Sequence, residues 1–254
     1  MKPDKIAEVT DALSDYLEFG GYPEIVKNSD PALKLTLLQD LYSTVIQRDL
    51  IERHAIRKAS VFRAFNNSLI GSTCRDVSIP ALVAWFEAQG NRISSMTAFN
   101  YLSYAQSVYL FILVYPYSRK IKERNVKPKL YVSDTGIIRL FDSDKGKWLE
   151  NAVLVELTRR RENVHYYRSR SADIDFLLTR DKPVELIQVS FSINDPGTYS
   201  REVGSLLEAS KKLDCKRLSI ITFNEERTIN PDGKTIDVMP AWKWFLKRRP
   251  EASM

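Results

Sequence analysis

The sequence predicts an α/β protein in three parts: a helical segment over residues 1–57, a winged-helix domain over 58–130 and an α/β sheet domain over 131–254. Three observations carry this. Apolar residues recur at helical spacing through the first part. Three helical stripes, then two short apolar strands joined by a basic connection, fill the second. The third alternates strand-like runs with helical stripes, as a sheet covered by helices requires.

A chain of 254 residues, 44% hydrophobic and 11% aromatic, can bury real cores, which excludes a disordered chain. Its longest apolar run, Val108 to Tyr115, stops at Pro116, far short of the roughly 18–20 residues of a membrane helix. No apolar stretch follows Met1-Lys2-Pro3-Asp4-Lys5, so no secretory signal and no membrane partner are expected. Cys74 and Cys215 read as reduced thiols of a cytoplasmic protein, with one disulfide as the alternative.

Charge is unevenly divided. Residues 1–52 hold 5 Lys/Arg against 10 Asp/Glu, whereas residues 53–130 hold 12 against 3 and the rest 21 against 19. A net of +9 in the middle third fits a polyanionic partner; the alternative is a solvated face that balances the acidic helices.

The elements follow in order. Ile6, Val9, Leu13 and Leu17 form a helical stripe that breaks at Gly20-Gly21-Tyr22-Pro23. Asp30-Pro31, an N-cap followed by Pro at the first helical position, opens a second stripe of Leu33, Leu37, Leu38, Leu41, Tyr42 and Val45. Its far end is charged, with Arg48, Asp49, Glu52 and Arg53. Val61, Phe62, Phe65, Leu69 and Ile70 make the next helix, closed by Gly71. Ser78-Ile79-Pro80 starts another that ends at Gly90, and Ser94/Ser95 caps a third through Phe99, Tyr101, Leu102 and Ala105. Strand-like Tyr109–Tyr115, basic Ser118–Lys129 and strand-like Leu130-Tyr131-Val132 come next. Three helices and a two-stranded ribbon with a basic tip is the order of a winged helix. Beyond it the pattern predicts a helix over 147–161, strands over 164–167, 174–179 and 184–191, and a helix over 198–213. Strands at 218–222 and 236–238 lead to a final helix over 240–246, docked by Trp242 and Trp244.

Nine glycines form neither a G-x-x-x-x-G-K-[ST] loop nor a G-x-G-x-x-G turn, so no triphosphate or dinucleotide cradle is present. His54 and His165 lack metal-ligand spacing, and no nucleophile elbow occurs. Carboxylates remain. Asp175 interrupts an apolar strand, where an unpaired carboxylate is costly, and Gln188 interrupts the next. Glu150 on the preceding helix and Glu185 complete a candidate catalytic set of Glu150, Asp175, Glu185 and Gln188. Asp175 and Glu185 are its candidate metal ligands, and Mg²⁺ the cation such oxygens would take. The structural alternatives are an Asp175 ion pair with Arg168 or Arg170, a capping or solvated Glu150, and Asp134 as a turn residue in Asp134-Thr135-Gly136.

Motifs along nearly the whole chain resemble a known family. They are Gly20-Gly21-Tyr22-Pro23-Glu24, Arg48-Asp49-Leu50, Thr97 with Tyr101-Leu102, and Lys129 to Gly136. Further on come Leu149-Glu150-Asn151, Val155-Glu156-Leu157, Tyr167-Arg168, Asp173-Ile174-Asp175-Phe176 and Ile187-Gln188-Val189. In this order they are similar to the C-terminal part of archaeal-type AAA+ ATPases that carry a winged helix and a restriction-endonuclease-like domain of unknown function. The resemblance implies that residues before about 53 are the tail of the ATPase's helical lid and that the P-loop half is not in this chain. It also implies a PD-(D/E)xK nuclease pattern, to which Glu150 and Asp175 conform. The third motif reads Gln188-Val189-Ser190, without its carboxylate and lysine. Glu185 lies three residues earlier, an odd offset that points it to the other face of a strand.

The expected function is DNA binding by a nuclease-like protein that does not cut. Arg92, Thr97 and Asn100 on the third helix and Arg119, Lys120, Lys122 and Arg124 on the wing are the candidate contacts. Two other classes stay open: a Mg²⁺-dependent nuclease with a migrated site, and a protein-interaction module. The acidic segment offers a surface for self-association or for an ATPase subunit.

Overall fold

The computed structural model describes residues 2–118 and 127–247. It is a mixed α/β protein of two compact units, one formed, among the described residues, by 15–115 and 127–155, the other by 2–14, 116–118 and 156–247.

In the helical unit, Phe19 at the end of α1 (Pro3–Phe19), Ile25 of α2 (Pro23–Val26) and Leu38 of α3 (Pro31–Thr44) form one buried cluster. Asp30 caps α3 as expected, its Oδ1 accepting from the Ala32 amide at 2.9 Å. The inward face differs by one residue from the expected stripe: Leu33 is exposed and Lys34 is buried. The Lys34 ammonium reaches both oxygens of Asp15, at 2.6 and 2.7 Å, and lies 4.8 Å from the Phe19 ring centre. A paired cation on an apolar stem can be buried where a bare one cannot. The helix continues as a π-helical segment, Val45–Glu52. Gln47 donates to Glu52 five residues on at 2.9 Å, matching the wider turn, and Arg48 and Asp49 are exposed.

Helices α4 (Ala59–Gly71), α5 (Ile79–Ala88) and α6 (Ser95–Ser107) meet through aromatic rings. Tyr101 stands edge-on to Phe62 and Phe65 at 4.8 and 5.6 Å, and Phe65 meets Phe86 at 5.9 Å. Ser78 and Ser94 cap α5 and α6 through the amides of Ala81 and Thr97. Strand β1 (Phe111–Val114) then pairs antiparallel with β2 (Lys129–Val132). β1 starts later than the expected strand because Tyr109 is left-handed (φ 58°) and exposed. The short helix α7 (Thr135–Arg139) and the first turns of α8 (Lys145–Arg159) belong to the same unit. The Asn151 side chain bonds the Val132 amide and carbonyl at 2.8 and 2.9 Å. The sequence reading places a boundary at 130/131; the unit instead runs on to residue 155, with Tyr131 and Val132 of β2 paired to Ile112 and Phe111 of β1.

The other unit is built on a six-stranded sheet, with β3 (Asn163–Arg168), β4 (Asp173–Thr179) and β5 (Pro183–Val189) as an antiparallel meander. β6 (Leu218–Thr222) and β8 (Ile236–Pro240) continue it in parallel, and β7 (Arg227–Ile229) pairs antiparallel at the edge. β7 was not expected, since three mostly exposed residues carry no apolar alternation. Val203, Leu206, Ala209 and Leu213 of α9 (Pro196–Leu213) pack in one core with Leu177, Leu186, Leu218, Ile220, Ile236 and Val238 of the sheet. Trp244 of α10 (Ala241–Leu246) is buried beneath the Arg160 guanidinium, 4.3 Å from its ring. Among the described residues no helix is long and apolar enough to cross a membrane, and Cys74 and Cys215 form no disulfide.

Candidate functional site

The candidate site lies where the β4–β5 ladder gives way to side chains. His165 pairs with Leu177 but Tyr167 pairs with Ile174, so β4 carries one residue more than β3 across this stretch. Such a bulge re-aims the side chains within it, here Asp175 and Phe176. The ladder with β5 is regular from Leu178 opposite Glu185 to Phe176 opposite Ile187. Beyond it, Gln188 Oε1 accepts from the Asp175 amide at 2.8 Å and Asp175 Oδ2 accepts from the Val189 amide at 3.0 Å. Gln188 Nε2 donates to the Asp173 carbonyl at 2.9 Å and to Glu202 Oε2 at 2.7 Å. Both amide hydrogens of Gln188 are thus used, and its oxygen is engaged. The other oxygen of Glu202 accepts from Arg201 at 2.7 and 3.0 Å. Gln188 and Glu202 are buried, which makes this network costly to break.

Asp175 and Gln188 therefore meet, and Glu202 joins them. The sequence reading passed over Glu202, although the signal was present. Position 202 continues the spacing of Leu206, Ala209 and Leu213, so its carboxylate falls on the buried stripe of α9. Glu185 is not brought to this cluster. It accepts from Ser219 Oγ at 2.8 Å and pairs with Arg217 Nε at 3.2 Å. Glu150 belongs to the helical unit, where it accepts from Tyr131 Oη at 2.8 Å and lies 3.7 Å from Lys129 Nζ. It is neither a helix cap nor a solvated group. Arg168 pairs with Asp173 at 3.0 Å. Asp134, read as a turn residue, caps α7 through Gly136 and also accepts from the Gly21 amide at 2.8 Å.

These residues do not fit a hard cation such as Mg²⁺. Gln188 presents N–H donors toward Glu202 where a metal needs oxygen, and its own oxygen is bound to an amide. Among the described residues no three His, Cys, Asp or Glu side chains have metal-holding geometry.

Burial raises the pKa of Glu202 above its ordinary 4.5, with Arg201 opposing the shift and Asp175 adding to it. Burial likewise raises Glu185, opposed by Arg217 and Ser219. For a group whose folded pKa is raised, the folded state holds the proton more tightly, so stability falls as pH rises from the ordinary value through the folded one. The contribution of Glu202 to the urea midpoint is therefore expected to decline as pH rises above its ordinary pKa, so the midpoint should depend less on pH in that direction in Glu202→Gln. An equal slope in that variant would mean that Glu202 titrates normally.

Of the expected DNA contacts, Arg92 is exposed ahead of α6, while Thr97 and Asn100 are half-buried. Thr97 Oγ1 lies 2.9 Å from Ser94 Oγ within the cap. Met96 and Phe99 are the exposed apolar residues of α6, 68% and 60% accessible. Arg119, Lys120, Lys122 and Arg124 lie outside the described residues.

Comparison with known proteins follows the same two parts. Residues 145–244 match the family described as Domain of unknown function (DUF4143). An uncharacterized protein of Methanocaldococcus jannaschii, MJ1544, is 33% identical over 252 residues, covering 94% of this chain and 56% of the relative. An uncharacterized protein of Haemophilus influenzae is 25% identical over 250 residues, covering 96% of this chain and 60% of the relative. The chain thus spans little more than half the length of these curated relatives. Residues 10–145, more than half of the chain, match a second family, and on that match the chain belongs to the family described as Domain of unknown function (DUF8612).

Proposed function

We propose that this chain is a cytoplasmic DNA-binding protein, the C-terminal arm of an archaeal-type AAA+ ATPase. In this reading α4–α6 with β1 and β2 form a winged helix, and the sheet is a PD-(D/E)xK-like domain that no longer cuts. The observation that carries it is the net charge of +9 between residues 53 and 130. Neutralising phosphates is what a cluster of Lys and Arg does best, and it supplies affinity without sequence preference. The element order and the exposed Arg92 ahead of α6 support the same reading. Loss of cleavage is supported by Gln188, whose donors hold Asp173 and Glu202 together where a nuclease would offer a carboxylate and a lysine.

The test is a titration of labelled duplex, branched and single-stranded DNA over a salt series, with and without Mg²⁺. Affinity should fall steeply with salt and the DNA should stay intact. Alanine at Arg119, Lys120 and Lys122 should weaken binding to every sequence and reduce the duplex salt slope by about 3, near one per lost phosphate contact. Unchanged affinity in that variant would remove the wing from the interface. Cleavage that disappears in Asp175→Ala would overturn the loss of catalysis. Exposed Met96 and Phe99 on α6 favour a second reading, a winged helix that docks a protein. No DNA binding at low salt would decide for it.

A further inference from the structure

The hairpin tip between β3 and β4 has an unusual composition. Such loops commonly rely on Gly, Asn or Asp; this one reads Arg168-Ser169-Arg170-Ser171-Ala172. It is closed by the Ser169 amide donating to the Ala172 carbonyl at 2.8 Å, and Ala172 is buried in the core shared with α9. Lys212, in the last turn of α9, donates to Ser171 Oγ at 2.9 Å and to Ser169 Oγ at 3.3 Å. The two hydroxyls that flank Arg170 thus hold one ammonium. Arg168 stands 5.5 Å from the Tyr166 ring centre while paired to Asp173. Arg168, Arg170 and Lys212 are all exposed, as is the neighbouring Lys211.

From this geometry we infer that the β3–β4 hairpin and Lys212 form a second contact for the phosphodiester backbone of nucleic acid. The inference rests on the DNA-binding reading and deepens it, because it gives the nuclease-like unit its own phosphate contact. Guanidinium, ammonium and serine hydroxyl groups on a closed turn are the donors that phosphate oxygens accept. Nearby acids offset only part of the charge. Asp173 is held by Arg168, and Glu208 lies 3.5 Å from Ser171 Oγ. Lys211 and Lys212 also complement the carboxyl end of the α9 dipole, but that role requires no serine on the hairpin.

The hairpin is also continuous with the candidate site. The carboxylate of Asp173 holds Arg168, and its carbonyl accepts from Gln188. In this arrangement Gln188 is a positioning residue that fixes the root of the hairpin. A position that in the nuclease pattern would carry a catalytic carboxylate serves here to orient a phosphate contact.

The test compares the full chain with Arg170→Ala/Lys212→Ala and with the charge reversal Arg170→Glu, all at exposed positions and all checked for an unchanged melting temperature. The double variant should lower the duplex salt slope by about 2 and weaken binding alike on every sequence. Arg170→Glu should weaken it at least as much as the double variant. Saturating duplex should also slow acetylation of Lys212, read by mass spectrometry. If the parent chain binds but both variants keep its slope and Lys212 stays equally reactive, the hairpin contact is wrong while the DNA-binding reading stands. If the parent chain binds no DNA, both readings fall together.

Discussion

Gly136→Ala is expected to destabilise the helical unit by about 3 kcal/mol, from overpacking against atoms that cannot swing aside. A Cβ at position 136 would come within 2.3 Å of the Phe19 carbonyl oxygen, 2.7 Å of its carbon and 2.8 Å of a Leu38 methyl. Two of these three are backbone atoms, so relief requires moving the end of α1. That approach is fixed from both sides. Thr135 Oγ1 donates to the Tyr16 carbonyl at 2.8 Å, and the two oxygens of Asp134 accept from Gly136 and Gly21 at 2.9 and 2.8 Å. Gly20 completes the joint with φ at +80° and Asp134 Oδ1 only 1.7 Å from where its Cβ would be. Burial, and then the charge of Asp134, push Tyr22 up to about 12. Melting should fall by roughly 6–12 °C at the sensitivity of a domain of this size. Gly204→Ala in α9 is the control: nothing lies within 4 Å of its Cβ, and helix propensity predicts a gain of up to about 1 kcal/mol. Equal melting of Gly136→Ala and the parent chain would refute the close approach.

Gln188→Ala should have the next largest effect, about 2–4 kcal/mol, because it leaves buried polar atoms without their partners. The Asp175 amide loses its acceptor, and Glu202 Oε2 and the Asp173 carbonyl lose their donor. Gln188→Glu keeps the shape but replaces the donor Nε2 with an acceptor oxygen, setting a carboxylate against Glu202 and the Asp173 carbonyl beside Asp175. Its loss of stability should be large at neutral pH and recover as pH falls, since a shared proton restores a donor between the two carboxylates. Urea unfolding of both variants across pH measures this. A Gln188→Glu protein as stable as its parent at neutral pH would mean that the carboxamide does not brace Glu202.

Much of the architecture was legible from local rules. Asp30 before Pro31, Ser78 and Ser94 marked helix starts because capping depends on a side chain two or three residues from the amide it satisfies. The sheet strands were visible as apolar runs, and Asp175 and Gln188 stood out because a polar group inside such a run must find a partner.

What the tertiary structure alone decided involves partners far apart in sequence. Gly21 and Asp134 are 113 residues apart and their bond leaves no periodic trace. Lys34 replaced Leu33 on the inward face because Asp15, 19 residues earlier, supplied a charge for it. Residues 131–155 joined the helices because β1 needed β2 as its pair and Asn151 bonded both backbone groups of Val132. Glu202 entered the Asp175 cluster because α9 lies on that face of the sheet. Caps, turns and alternation involve neighbours a few residues apart, so composition and spacing determine them. The cost of a buried charge or an unpaired amide is settled only by what packing brings against it.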